Sequence, residues 1–222
     1  MQLVLNIQLR HDATFDNFLV NQENNRLVAF LKEPTSASLI LGDEVSGLSH
    51  LLQAACHEAG KRHRHAMYLP LKSCIHSGPE IFDGLESLDL LCIDDIHMLV
   101  GDAALEEALF YLFNRFAELS KPLVLSSHGM PFVALKDLRS RLYACLHFHL
   151  KPLNDQDKQL FLQQEAKRRG FFLSDDIAAY LIRHYPRDMA TQLNILQRLD
   201  IASLQEKHRI TLPFVKDILN KD

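Results

Sequence analysis

Gly42 and Gly47 stand five positions apart between an apolar run and a segment of helical character. The stretch Gly42-Asp43-Glu44-Val45-Ser46-Gly47-Leu48-Ser49-His50 has the spacing of a phosphate-binding loop, in which backbone N–H groups wrap phosphate oxygens at a helix N-terminus. Such a loop carries a lysine after its second glycine, and here that position is Leu48. Glycine pairs at this spacing arise by chance about once per chain, so the weight lies in the context. Strand-like Leu39-Ile40-Leu41 comes before the loop, and His50-Leu51-Leu52 starts the predicted helix after it.

About one strand–helix–strand unit later, Leu90-Leu91-Cys92-Ile93 ends in Asp94-Asp95. A carboxylate at the C-terminal edge of a central parallel strand, beside a phosphate loop, is where a hydrated Mg²⁺ is held. Ser49 and Asp94 are the candidate ligands; the alternative for the acidic pair is an ordinary polar turn after a strand. Asp95 stands where a longer glutamate would orient an attacking water. With Leu48 in the loop as well, ATP hydrolysis by this chain alone is expected to be weak or absent.

The elements that must position these residues are legible in the apolar pattern. Short apolar runs recur at Ser38 to Leu41, Ala66 to Leu69, Leu88 to Ile93, Pro122 to Leu125 and Cys145 to Leu150. Between them lie helical patterns, clearest over Ala103 to Leu119, where Leu105, Leu109, Leu112, Phe113 and Phe116 share one face. Short strands alternating with helices predict an α/β core whose parallel sheet is sandwiched by helices. After Pro152 the pattern is helical only: Asp155 to Arg169, a helix capped by Ser174, a helix from Arg187 to about Leu204, and one opened by Pro213. This predicts a small all-α lid domain following the core.

Composition narrows the classes of function. The 222 residues carry 24 Lys+Arg and 28 Asp+Glu, a net charge of −4, with 47% hydrophobic residues. Residues 1 to 150 hold 12 basic and 18 acidic side chains, and residues 151 to 222 hold 12 and 10. That balance is no electrostatic footprint for DNA. No apolar run approaches the ~20 residues of a membrane span and no targeting segment opens the chain, so a cytoplasmic location is expected. The four cysteines have no metal-binding spacing and read as reduced core thiols. Twelve histidines show no ligand spacing with acidic partners, so solvated loop histidines are expected rather than a metal site.

Taken in order, these segments resemble the DnaA branch of the AAA+ superfamily, and within it the short homologues that regulate the initiator. The resemblance rests on the two nucleotide-binding segments above and on Thr14-Phe15-Asp16-Asn17-Phe18, similar to the family's N-terminal motif. It extends to Ser126-Ser127 as sensor 1, Leu138-Arg139-Ser140-Arg141-Leu142 as the arginine-finger box, and Pro186-Arg187-Asp188-Met189 as sensor 2. It implies an AAA+ P-loop core over residues 13–151, a helical lid over 152–222, and a clamp-binding segment over 1–12. There Gln2-Leu3-Val4-Leu5 resembles a sliding-clamp-binding motif, with Asn6 where proline or phenylalanine is usual; the alternative is an ordinary first strand.

The implied roles follow. Gly42 to His50 and Arg187 would hold ADP, with affinity reduced or lost because of Leu48, and with Mg²⁺ at Ser49 and Asp94. Arg141 would act as the catalytic finger on a nucleotide held by a partner, where such residues contribute ~10³ to 10⁵ in rate in GTPases. Arg139 reads as structural, and the alternative for both arginines is a surface salt bridge. The implied function is a regulator of replication initiation that binds the sliding clamp and stimulates ATP hydrolysis by DnaA, preventing re-initiation. Homodimerisation through the finger surface stays open. So do two alternatives: a helicase-loader-like ATPase, and an interaction scaffold that has lost nucleotide. The chain stops at Asp222, just after the last predicted helix, so no dedicated DNA-binding domain is expected.

Overall fold

The apolar runs pair side by side into one parallel sheet. In the computed structural model, which describes residues 9–44, 46–186 and 189–219, the strands are β1 (Ser38–Leu41), β2 (Ala66–Pro70), β3 (Leu90–Asp94), β4 (Leu123–Ser127) and β5 (Leu146–His149). Their order is β2-β3-β4-β1-β5, with every pairing parallel. β1, β3 and β4 are buried along their whole length, which is why Leu39 to Leu41, Leu90 to Ile93 and Leu123 to Leu125 read as apolar runs rather than alternating ones. β5 lies at an edge and is mostly exposed, consistent with His147 and His149 among its residues.

Helices α1 (Asn25–Lys32), α2 (Leu48–Lys61), α3 (Leu71–Cys74), α4 (Ala103–Glu118) and α5 (Lys136–Ala144) cover the sheet. Successive strand residues point to opposite faces, so the sheet feeds two cores. Leu39, Leu91 and Leu125 pack with the apolar stripe of α4 and with Leu138 and Leu142 of α5. Ile40, Cys92 and Val124 pack with α1 and α2 on the other side. The sandwich expected from the sequence is therefore present. α4 starts where Asp102 accepts hydrogen bonds from the N–H groups of Ala104 (3.0 Å) and Leu105 (3.1 Å), satisfying two donors that a helix start leaves free.

One boundary differs in a way that matters for the site. The helix after the glycine loop begins at Leu48, two residues before the expected His50. Gly47, in a left-handed conformation at φ 96°, turns the chain straight into the first helical residue.

The described residues divide into two compact units, the second spanning Leu153–Asp222. It consists of α6 (Asp155–Arg168), α7 (Asp175–His184), α8 (Met189–Glu206) and α9 (Leu212–Leu219) around Leu162, Ile177, Leu181, Leu196, Leu199 and Val215. Asn154 caps α6 by accepting the N–H of Asp157 at 2.8 Å. Ser174 precedes α7 in extended conformation, but its hydroxyl bonds the Asp176 carboxylate instead of a backbone N–H. The buried side chain of Gln192 ties α8 to the end of α7 through the carbonyls of Leu181 (3.2 Å) and Pro186 (2.8 Å). Among the described residues, no helix is long and apolar enough to cross a membrane.

Candidate functional site

The glycine loop emerges from β1, and its first residue is held by the strand beside it: the Gly42 N–H donates to the Ser127 carbonyl at 3.2 Å. The loop then turns back on itself. Both the N–H (3.0 Å) and the hydroxyl (2.5 Å) of Ser46 donate to the carbonyl of Asp43. Leu48 takes the lysine position and is only 4% exposed, packed in the core on the α2 side of the sheet. A Cβ built on Gly42 would lie 3.3 Å from the Leu48 side chain, so the leucine fills space inside the loop instead of reaching out of it. Asp43 and Glu44 add negative charge, of which Glu44 is paired with Lys72 at 3.6 Å.

The N-terminal motif is brought onto this loop. A Cβ on Gly47 would meet the Phe18 ring at 2.9 Å, and Phe18 lies against His50 with ring centroids 5.5 Å apart. His50 Nε2 donates to the Thr14 carbonyl at 2.8 Å; a carbonyl can only accept, which fixes the proton on that nitrogen. Burial holds the His50 pKa below its ordinary value, outweighing the bond to Thr14. His50 thus fastens the N-terminal motif to the start of α2.

The acidic end of β3 is equally committed to protein partners. Asp94 is 1% exposed, and its two oxygens accept hydrogen bonds from the Tyr68 phenol (2.6 Å) and from the Ser126 hydroxyl. Burial, and then the neighbouring Asp94, push the Tyr68 pKa far above its usual value, so the phenol stays a donor. Ser126 also accepts the N–H of Asp95 at 3.0 Å, whereas the Ser127 hydroxyl is buried without a hydrogen-bond partner.

These contacts test the implied ligands. The first-turn N–H groups of α2 have no partners within the helix and suit one phosphate of a nucleoside diphosphate. The Mg²⁺ site fits poorly, because Asp94 is buried and both of its oxygens are taken up by Tyr68 and Ser126.

The segment Leu138 to Leu142, expected to be an arginine-finger box, lies in α5 and is anchored by buried Leu138 and Leu142. Its N-terminus is braced by Glu106 of α4, whose carboxylate accepts the N–H groups of Leu135 (2.7 Å) and Gly101 (3.1 Å). Burial alone would push the Glu106 carboxyl up, but those backbone bonds, one from Ala134 and the charge of Arg139 bring it below its ordinary value. Arg139 is structural: Nε and a terminal nitrogen donate to the Val133 carbonyl at 3.0 and 2.6 Å, and its guanidinium covers the Phe132 ring at 4.6 Å. Arg141, two residues on, is exposed and its side chain makes no ion pair or hydrogen bond among the described residues.

Sequence reasoning missed three features. It had no sight of Tyr68 as the partner of Asp94 or of Glu106 as the brace of α5. It also expected solvated histidines, whereas the ends of β3 and β4 bring Asp95, His97 and His128 together with ligand atoms within 4.8 Å of one another. The signal available was Asp95-x-His97 after one strand and His128 directly after the next, a pairing that becomes visible only with the strand order known. Burial, and then the charge of Asp94, raise the Asp95 pKa, while burial and the nearby His128 lower that of His97. Gln2, Leu3, Val4, Leu5, Val45 and Arg187 lie outside the described residues.

Comparison with known proteins places this geometry in a family. Residues 9–152 match the bacterial DnaA ATPase domain, and residues 155–219 match the lid domain of Hda. Domain III of the Thermotoga maritima replication initiation protein DnaA is similar at a TM-score of 0.80 and 19% identity, over 97% of this chain and 98% of that one. AMPPCP-bound DnaA from Aquifex aeolicus is similar at 0.72 and 23% identity, over 85% of this chain and 65% of that one. The Thermotoga maritima RuvB branch migration motor shares the fold at 0.73 and 17% identity, over 94% and 71%. With nearly two thirds of its length matched by the DnaA model and the remainder by an Hda lid, the chain belongs to the bacterial DnaA ATPase-domain family of AAA+ proteins and carries a lid of the Hda type.

Proposed function

We propose that this protein regulates replication initiation by acting on the nucleotide of a DnaA partner instead of turning over its own. The observation that carries this reading is the contrast between its two nucleotide-facing parts. The lysine position of its own loop is a buried leucine, while Arg141 stands exposed on a braced helix. A guanidinium presented in trans stabilises charge on a transferring phosphoryl group without needing a competent phosphate loop behind it. Arg141 is therefore the catalytic finger, inserted beside ATP held by DnaA, and the resulting hydrolysis prevents re-initiation.

In this reading residues 1–12 form the clamp-binding segment, with Gln2 to Leu5 seated in an apolar groove of the sliding clamp. Residues 13–151 are the nucleotide-binding core and 152–222 the lid. ADP, where bound, rests a phosphate on the N-terminus of α2 at the loop Gly42 to His50, as a structural ligand, and Arg187 is the lid residue assigned to it. Sensor 1 is represented by Ser126 and Ser127, and the protein works in the cytoplasm. The test is ATP hydrolysis by DnaA in the presence of DNA-loaded clamp. Wild-type protein accelerates it; Arg141→Ala at the wild-type rate would exclude the mechanism.

A second reading, a scaffold without nucleotide, draws on the inward hydrogen bonds of Ser46 and on buried Leu48. Calorimetry with ADP separates the two, since measurable binding eliminates the scaffold. The helicase-loader-like ATPase is the least supported, because Asp94 and Leu48 are both committed to internal packing and bonding.

A further inference from the structure

The ends of β3 and β4 create a second cluster beside the glycine loop. Asp95 follows β3 with φ 62° and ψ 43°, a left-handed conformation rare for a residue with a side chain. The turn that it opens, Ile96–Leu99, carries His97, and His128 follows β4 on the neighbouring strand. The Asp95 backbone is pinned across the strands by its N–H bond to Ser126. His128 Nε2 lies 3.3 Å from Asp95 Oδ1, and the imidazole centroids of His97 and His128 are 4.4 Å apart.

We propose that Asp95, His97 and His128 form a binding site for a divalent transition-metal ion of the Zn²⁺ class. Bond lengths of about 2.0–2.2 Å around a tetrahedral zinc place ligand atoms roughly 3.4 Å apart. The Asp95–His128 separation of 3.3 Å already has that value. All three ligand atoms lie within 4.8 Å of one another, so roughly 1.4 Å of closure at most is needed at the remaining edges. His97 sits on the short turn Ile96–Leu99, half-buried, and its Nδ1 accepts the His128 backbone N–H at 3.5 Å, which leaves Nε2 as its ligand atom.

Ligand chemistry selects the ion. Two imidazoles with one carboxylate suit Zn²⁺, Co²⁺ or Ni²⁺, whereas Mg²⁺ prefers an all-oxygen shell. The site is separate from the Ser49 and Asp94 pair considered for Mg²⁺, since neither of those residues belongs to it. Three protein ligands leave a coordination position for water or a ligand oxygen, as in zinc sites that are not purely structural. The parallel pairing of β1, β4 and β3 puts their C-terminal ends at one edge of the sheet, so the cluster lies on the same side as the glycine loop.

The test uses tag-free, full-length protein stripped with EDTA, then titrated with Zn²⁺ against a chromophoric chelator, with Co²⁺ as a spectroscopic probe. The expected result is a single Zn²⁺ equivalent, visible Co²⁺ bands of a four- or five-coordinate site, and no displacement by excess Mg²⁺. Asp95→Asn, His97→Ala and His128→Ala should each weaken Zn²⁺ by about tenfold or more, the lower end of what even outer-shell changes cost at metal sites. His11→Ala serves as a histidine control and should bind as wild type. Wild-type protein that takes up no Zn²⁺, a six-coordinate Co²⁺ spectrum typical of hydrated ion, or a His97→Ala/His128→Ala double variant of unchanged affinity would each overturn the proposal. The wild-type spectrum decides even if a variant fails to fold.

Discussion

The phenol of Tyr68 donates a 2.6 Å hydrogen bond to Asp94 across the pair β2 and β3, and the Ser126 hydroxyl reaches the other carboxylate oxygen from β4. The register makes this possible. Tyr68 lies opposite Cys92, so Asp94 projects two residues further along the same face. The acid that would serve a metal ion is thereby built into the sheet.

Tyr68→Phe removes one of the donors while keeping the ring in the core. A hydrogen bond to a charged group contributes about 1.5–3 kcal/mol, so denaturant unfolding should show a loss of that order with an unchanged slope. On the proposed function, ATP turnover by both the wild type and this variant should equal a no-protein blank, because Leu48 fills the lysine position. Unchanged stability would mean that water replaces the phenol without cost.

Gly47 is the hinge between loop and helix, and two independent costs oppose a side chain there. Its φ of 96° disfavours any residue with a Cβ by about 1–2 kcal/mol, and that Cβ would meet Phe18 at 2.9 Å. Gly84 has a similar φ of 75° but open space around it. Gly47→Ala should therefore lower Tm more than Gly84→Ala does, at about 2–4 °C per kcal/mol for a chain of this size. Adding Phe18→Ala to Gly47→Ala should cost less than the two single changes together. Strict additivity would show that Phe18 does not press on Gly47.

The legible and illegible parts of the molecule differ for a physical reason. β1, β3 and β4 were readable because burial on both faces demands unbroken apolar residues, and α4 because its buried stripe repeats at helical spacing. Gly42, Gly47 and the acidic end of β3 were readable because local spacing follows from strand–loop–helix geometry. The Asp94 contacts were not, since Tyr68 lies 26 residues before it and Ser126 32 after, and their meeting depends on strand order and register. The same holds for His97 and His128, separated by 31 residues. The helix starts at Leu48 because Gly47 takes a left-handed conformation, and the Phe18 ring that leaves no room for a Cβ there lies 29 residues earlier in the sequence.

Glu106 gives a pH dependence whose sign can be worked out. Its folded pKa lies below the ordinary 4.5, so the folded state binds its proton less readily than the unfolded chain does. The stability it contributes is fully present above pH 4.5 and is lost as pH falls through the folded value. Glu106→Gln should destabilise the protein by about 1–3 kcal/mol at neutral pH, since an acceptor for the Leu135 and Gly101 N–H groups is weakened or turned into a donor. Urea unfolding of both proteins should converge as pH drops below the folded value. A difference that persists or grows in acid would contradict the assignment of the brace to the ionised carboxylate. The variant should also stimulate DnaA less well, because α5 loses its anchor while Arg141 is retained.

Arg139 and Arg141 are two residues apart on the same helix, and their surroundings predict opposite phenotypes. Arg139 spends its donors on the Val133 carbonyl and its flat face on Phe132. Removing it leaves a partly buried carbonyl without its charged donor, so Arg139→Ala should lower stability by about 1–3 kcal/mol. Lysine at 139 should rescue poorly, because it lacks the planar fork and the stacking face. Arg141 has no such bonds among the described residues, and exposed substitutions of that kind usually change stability by less than about 0.5 kcal/mol. Arg141→Ala should therefore melt as wild type while losing stimulation of DnaA, and Arg139→Ala should lose both in proportion to its unfolding. An Arg141→Ala protein as unstable as Arg139→Ala would make Arg141 a structural residue, and the finger would have to be sought elsewhere on the surface.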